Sequence, residues 1–153
     1  MDTGDFLQGE LAVGIAVSLI NIAVHAAIMG LISWAAHRTT LMTAAARTRV
    51  QLVLVMWVTV SILMAAHLVE VSVWAASYRW LGVTTEGVDS FYFAFVSYTT
   101  LGYGDILAVK HWRLLGPLAA MNGMLLFGWS VAVIYDVMRA VTRTMPAATD
   151  MPE

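Results

Sequence analysis

Three long stretches of the sequence contain no aspartate, glutamate, lysine or arginine, and they set the strongest limit on how this chain can fold. A helix needs about 20 apolar residues to cross a bilayer, and three stretches meet that length: Leu11–His37, Val50–Val69 and Leu114–Tyr135. The chain is 60% hydrophobic and 12% charged, whereas soluble domains are roughly 25% charged. Because so little polar surface remains, we predict an all-α membrane protein with three transmembrane helices.

A fourth uncharged stretch, Ser90–Gly104, is too short to cross a bilayer. A short apolar segment between two spans is typical of a re-entrant loop. Asp89 and Ser90 are favoured N-cap residues, so we predict a short helix over residues 89–99 that enters the membrane and then turns back.

The turn falls at TTLGYGD, Thr99–Asp105. Gly102 and Gly104 are poor helix and strand residues, but they adopt positive φ at low cost. Backbone that alternates between left- and right-handed conformations aims successive carbonyl oxygens the same way. Several copies of such a ladder around an axis form oxygen cages that replace the water shell of an ion.

The run TLGYGD, Thr100–Asp105, resembles the signature sequence of potassium channels. The order of elements is also similar: an outer span, a pore helix, the signature and an inner span, over roughly residues 50–143. The resemblance implies a potassium-selective channel in a four-fold pore, and one signature per chain implies a homotetramer. It places K⁺ at Thr100, Leu101, Gly102 and Tyr103, with Gly104 completing the selectivity filter. A poorly selective monovalent cation channel is the alternative, although the intact signature argues against it.

Asp105 follows this segment and has two interpretations. It forms a ring of carboxylates that concentrates cations at the outer mouth, or it braces the segment by a hydrogen bond to the pore helix. The family resemblance places the bracing partner near Tyr92 or Phe93. We favour bracing, and the two roles are compatible.

Glu70 is an acidic residue about 20 residues into the second span, counted from Val50. An unpaired carboxylate against lipid is unfavourable, so we expect it to face protein. We predict that it supports the filter by bracing the start of the inner helix, within residues 106–115, with His67 as a second partner.

Gly123 and Gly128 interrupt the third span. The resemblance suggests a gating hinge at these glycines. Close helix packing explains them equally well, because small residues are common where membrane helices meet.

Arginines predict the topology, because basic residues near spans mark the cytoplasmic side. Arg38, Arg47 and Arg49 follow the first span, and Arg139 and Arg143 follow the third. We therefore expect a multi-pass protein of the plasma membrane with its N-terminus outside and its C-terminus in the cytoplasm.

The predicted segments are an outer tail and extra peripheral helix (1–37), a cytoplasmic loop (38–49), a pore domain (50–141) and a cytoplasmic tail (142–153). The pore domain divides into an outer helix (50–78), a pore helix (89–99), a filter (100–105) and an inner helix (112–141).

Other classes of function find less support. No HExxH or Ser/His/Asp grouping indicates an enzyme, and we expect no cofactor; the partners expected are further copies of the chain, lipid and K⁺, and no nucleic acid. His67 and Glu70 lie at i and i+3, a spacing that could supply half of a metal site, but the sequence shows no third ligand. A non-conducting helper subunit conflicts with the intact signature.

Asn21 and His25 share one face of the first span, where a helix–helix hydrogen bond is the favoured explanation. Helix packing is likewise the favoured explanation for Asn122. We expect the first span to be a peripheral helix that packs against Val50–Tyr78.

Overall fold

The computed structural model of the chain describes residues 3–42, 49–85 and 89–142. Within these residues the fold is all-α, as predicted, and contains no strand. The helices are α1 (Thr3–Met42), α2 (Arg49–Leu81), α3 (Ser90–Tyr98) and α4 (Leu115–Thr142), and a 3₁₀ turn at Lys110–Trp112 precedes α4. Arg47, Glu86 and residues 143–153, which include Arg143 and nearly all of the predicted C-terminal tail, lie outside the described residues.

Three of the helices are long and apolar enough to cross a membrane. The candidate spans are Leu7–Arg38, Val50–Leu81 and Lys110–Thr142. Each contains one of the uncharged stretches of the sequence, so the three predicted spans are helices of sufficient length.

The short helix α3 begins and ends close to the predicted positions. Asp89 is its N-cap, and the Asp89 carboxylate accepts a hydrogen bond of 2.9 Å from the backbone N–H of Phe91. This bond satisfies one of the free donors of the first turn. The helix ends at Tyr98, with Thr99 as C-cap.

The last helix begins slightly later than predicted. Trp112 belongs to the 3₁₀ turn, and α4 starts at Leu115. Pro117 then lies in the first turn of α4, where its missing N–H removes no helical hydrogen bond.

Helix α1 lies against both α2 and α4, and it contacts α4 more extensively than α2. The expected packing against α2 is therefore only part of its interface. Gly14 contributes to the approach of α1 to α4, because a Cβ at this position would overlap the side chain of Leu118.

A chain of amide and indole groups joins α1, α2 and α4 inside the bundle. The Asn21 amide donates to Asn122 Oδ1 at 3.2 Å and to the Glu70 backbone carbonyl at 3.3 Å. Trp74 Nε1 also donates to Asn122 Oδ1, at 3.2 Å. All of these side chains are buried, so the favoured helix–helix hydrogen bond of Asn21 is present and Asn122 is its partner.

Replacing Asn122 tests this chain of hydrogen bonds. Asn122→Leu keeps the number and branching of the side-chain heavy atoms but removes the acceptor of two buried donors. We expect it to lower the free energy of unfolding in detergent by about 1–3 kcal/mol. Ser72→Ala is the control, because the exposed Ser72 hydroxyl donates to the Leu68 carbonyl of its own helix. Equal stability of the two variants would contradict the assignment.

Candidate functional site

The signature segment, Thr99–Asp105, has an alternating backbone. Thr100, Gly102 and Gly104 have φ of 62°, 56° and 75°. Every second residue therefore has a left-handed backbone conformation, whereas Leu101 and Tyr103 between them do not. The two glycines behave as predicted, and Thr100 is an addition that the sequence did not indicate.

The end of α3 holds this backbone in place. The N–H groups of Leu101 and Gly102 both donate to the Val96 carbonyl, at 3.0 and 3.3 Å. The N–H of Thr100 donates to Ser97 O at 3.0 Å. The free carbonyls of the helix end thus accept hydrogen bonds from the N–H groups of the signature segment. The residues from Thr100 to Asp105 are exposed in the single chain.

Asp105 is bound at both carboxylate oxygens. The Tyr92 hydroxyl donates to Oδ2 at 2.8 Å, and the N–H of Ile106 donates to Oδ1 at 3.1 Å. The hydrogen bond to Asp105 raises the pKa of the Tyr92 phenol above its ordinary value. The expected bracing contact is present, with Tyr92 as the partner. Phe93 is instead buried and packs against Tyr78, with ring centroids 5.3 Å apart.

Glu70 does not lie where the sequence placed it. Its side chain is fully buried, and its carboxylate lies 2.7 Å from His25 Nδ1 and 2.9 Å from His67 Nδ1. The Tyr98 hydroxyl donates to the same carboxylate. The prediction that Glu70 braces residues 106–115 is therefore wrong, although His67 is a partner as expected.

Tyr78 takes the role that was predicted for Glu70. The Tyr78 hydroxyl donates to the Leu115 carbonyl at 3.0 Å, at the start of α4. Tyr78 follows Glu70 by eight residues, which is about 12 Å along a helix. Glu70 is therefore too deep in the bundle to reach α4's first turn, and it binds the last residue of α3 instead.

Ser130 completes this buried cluster and was not predicted. Its hydroxyl lies 3.0 Å from His67 Nε2 and 3.5 Å from His25 Nε2. A serine within a span is a weak signal, because such residues also bond to their own helix. Tyr98 and Tyr78 were missed for a similar reason: a tyrosine in an apolar segment fits an ordinary core equally well.

Gly123 and Gly128 have different surroundings. A Cβ on Gly123 would overlap the backbone oxygen of Tyr98 and lie 3.1 Å from its carbonyl carbon. At Gly128 the added Cβ points into open space, with no atom of the described residues within 4 Å apart from its chain neighbours and its own helix backbone. Close packing therefore explains Gly123, where α4 touches the end of α3, whereas the hinge remains a hypothesis for both positions.

The family comparison covers the part of the chain that carries this site. Residues 66–140 match the model of an ion-channel family. The match takes in the second half of α2, α3, the signature segment and most of α4. It supports an ion channel as the function of the chain, and α1 lies outside it. Searches of curated proteins and of solved structures found no match.

The contrast between the two glycines yields a prediction. Gly123→Ala places a methyl group against the Tyr98 backbone, and we expect it to lower the thermal unfolding midpoint in detergent and to disturb conduction, at a cost of about 1–3 kcal/mol. Gly128→Ala is the matched control and should leave stability equal or higher. Unchanged stability of Gly123→Ala, combined with a lower open probability, would instead support the hinge.

Proposed function

We propose that the chain is the subunit of a potassium-selective channel that conducts K⁺ passively through a homotetrameric pore. The observation that carries this proposal is the left-handed backbone at Thr100, Gly102 and Gly104, within a segment that resembles the potassium-channel signature. Such alternation suits a ladder of carbonyl oxygens from Thr100 to Gly104. Rings of backbone carbonyls replace the hydration shell of K⁺ in selectivity filters.

Exposure of the segment supports assembly. Tyr103 and Leu101 are 68% and 52% exposed in the single chain. Irregular backbone at membrane depth is tolerated where it is buried in protein or lines a water-filled path. One chain cannot enclose an ion, so neighbouring copies complete the ring and cover the Tyr103 side chain. With one signature per chain, the resemblance favours four copies.

The bundle agrees with the proposed orientation. Three successive spans place the ends of α1 and α4 on one side, and Arg38 and Arg139 lie near these ends. In the proposal this side is the cytoplasm, the membrane is the plasma membrane, and Asp105 lies at the outer mouth with Tyr92 bracing it.

Ion selectivity tests the proposal directly. Purified protein in planar bilayers, with potassium and sodium on opposite sides, should give reversal potentials that follow the potassium gradient. Gly102→Ala should abolish or derange the current, because a Cβ at positive φ costs roughly 1–2 kcal/mol in each subunit. Reversal near zero would favour the poorly selective cation channel. Normal currents in Gly102→Ala would contradict the filter assignment.

Stoichiometry is a separate test. Native mass measurement in detergent should give four chains of 16.7 kDa each, because a closed oxygen cage needs all four copies. A stable dimer that conducts K⁺ would rule out the homotetramer.

A further inference from the structure

Four metal-ligating side chains from three helices converge inside the bundle. His25 lies on α1, His67 and Glu70 on α2, and Tyr98 at the end of α3. Donor atoms of the two histidines and Glu70 all lie within 4.8 Å of one another. The Tyr98 hydroxyl lies 3.0 Å from His67 Nδ1 and bonds to the Glu70 carboxylate.

The donor set suits a divalent transition metal. Imidazole nitrogen and carboxylate oxygen are ordinary ligands of Zn²⁺, with bonds of about 2.0–2.2 Å. Bonds of this length in a tetrahedron separate the ligand atoms by about 3.3 Å. In this structure His25 Nδ1 lies 2.7 Å from Glu70 Oε1, and His67 Nδ1 lies 2.9 Å from Glu70 Oε2. A movement of a few tenths of an ångström per side chain therefore opens the space for an ion.

The surroundings of the histidines also fit a metal site. Histidine ligands usually use their second ring nitrogen to donate a hydrogen bond to an outer acceptor. Ser130 Oγ lies near both Nε2 atoms, at 3.0 Å from His67 and 3.5 Å from His25. Its oxygen can accept from two N–H groups, whereas its single hydrogen can be donated to only one nitrogen. The arrangement therefore matches two imidazoles that are protonated at Nε2 and offer Nδ1 to an ion.

Tyr98 supplies a fourth donor. Its hydroxyl oxygen lies 3.0 Å from His67 Nδ1 and has lone pairs that an ion can share. With the two imidazoles and the Glu70 carboxylate it completes a four-coordinate set.

A cavity gives access to the cluster. It has a volume of about 470 Å³ and is lined by His67, Tyr98 and Ser130 together with apolar side chains of α2, α3 and α4. His25 and Glu70 are fully enclosed, whereas the His67 side chain is 12% exposed. An ion therefore reaches the donors from the His67 side.

We infer that His25, His67, Glu70 and Tyr98 bind one divalent transition-metal ion of the Zn²⁺ type in each chain. The site would fasten α1 to α2 and to the residue that directly precedes the signature segment. The inference does not rest on the proposed conduction of K⁺, because metal binding is measured without a current.

Cobalt binding to the purified, metal-free full chain in detergent tests the site. We expect one Co²⁺ per chain, with the visible absorption of a four-coordinate ion, and its displacement by Zn²⁺. His25→Gln and Glu70→Gln should abolish this spectrum, because each removes a ligand. Ser130→Ala leaves the ligands intact and should weaken binding by about 10–100-fold. His37→Gln is the control; its ring lies elsewhere on α1, near the Ser33 carbonyl, and it should bind like the wild type.

The same experiment can overturn the inference. Absence of a four-coordinate Co²⁺ spectrum in the wild type would mean that the cluster is a hydrogen-bonded network only. An unchanged spectrum in His25→Gln would place the metal elsewhere. If the ligand variants do not fold, Tyr98→Phe and Ser130→Ala decide, because both preserve most of the packing. Wild-type affinity in both of these variants would also reject the site.

Discussion

A carboxylate without solvent exposure lies where all four helices meet, and the arrangement of the bundle depends on how it is satisfied. Glu70 on α2 is held by His25 from α1, His67 from its own helix and Tyr98 from α3, and Ser130 of α4 contacts the histidines. Removing one partner of a buried charged group typically costs several kcal/mol. Each helix is therefore fixed in rotation and depth by the need to bring its own polar group to this point.

The same region sets the position of the signature segment. Tyr98 bonds to Glu70 through its hydroxyl, and its backbone oxygen lies against Gly123 of α4. Val96 and Ser97 directly precede Tyr98, and their carbonyls accept hydrogen bonds from the N–H groups of residues 100–102. The segment is thus attached to a helix end that is held from two sides. A disturbance of the buried cluster would be transmitted to the segment through one residue.

The spans, the short helix with its Asp89 cap and the positive φ of Gly102 and Gly104 could be predicted, because each follows from a local pattern or from a single residue type. The partners of Glu70 could not. The apolar residues of α1 and α2 are spread almost evenly around each helix, so no hydrophobic stripe indicates which faces meet. The spacing of Asn21 with His25 and of His67 with Glu70 gave polar faces correctly. Which of these faces meet depends on how α1 packs against α4 and on how deep Glu70 lies relative to Tyr78. Neither can be deduced from the order of residues along one helix.

Thr100 carries a consequence of its own. A β-branched residue at φ 62° is a conformational outlier, and the left-handed conformation costs an L-residue roughly 1–2 kcal/mol that glycine avoids. Glycine would thus be the easier choice for the backbone, and the chain already uses it two and four residues later. The strain at Thr100 is therefore a cost that a glycine would avoid, and it recurs in every copy of the chain. The packing and hydrogen bonds around the segment have to offset that cost in each copy.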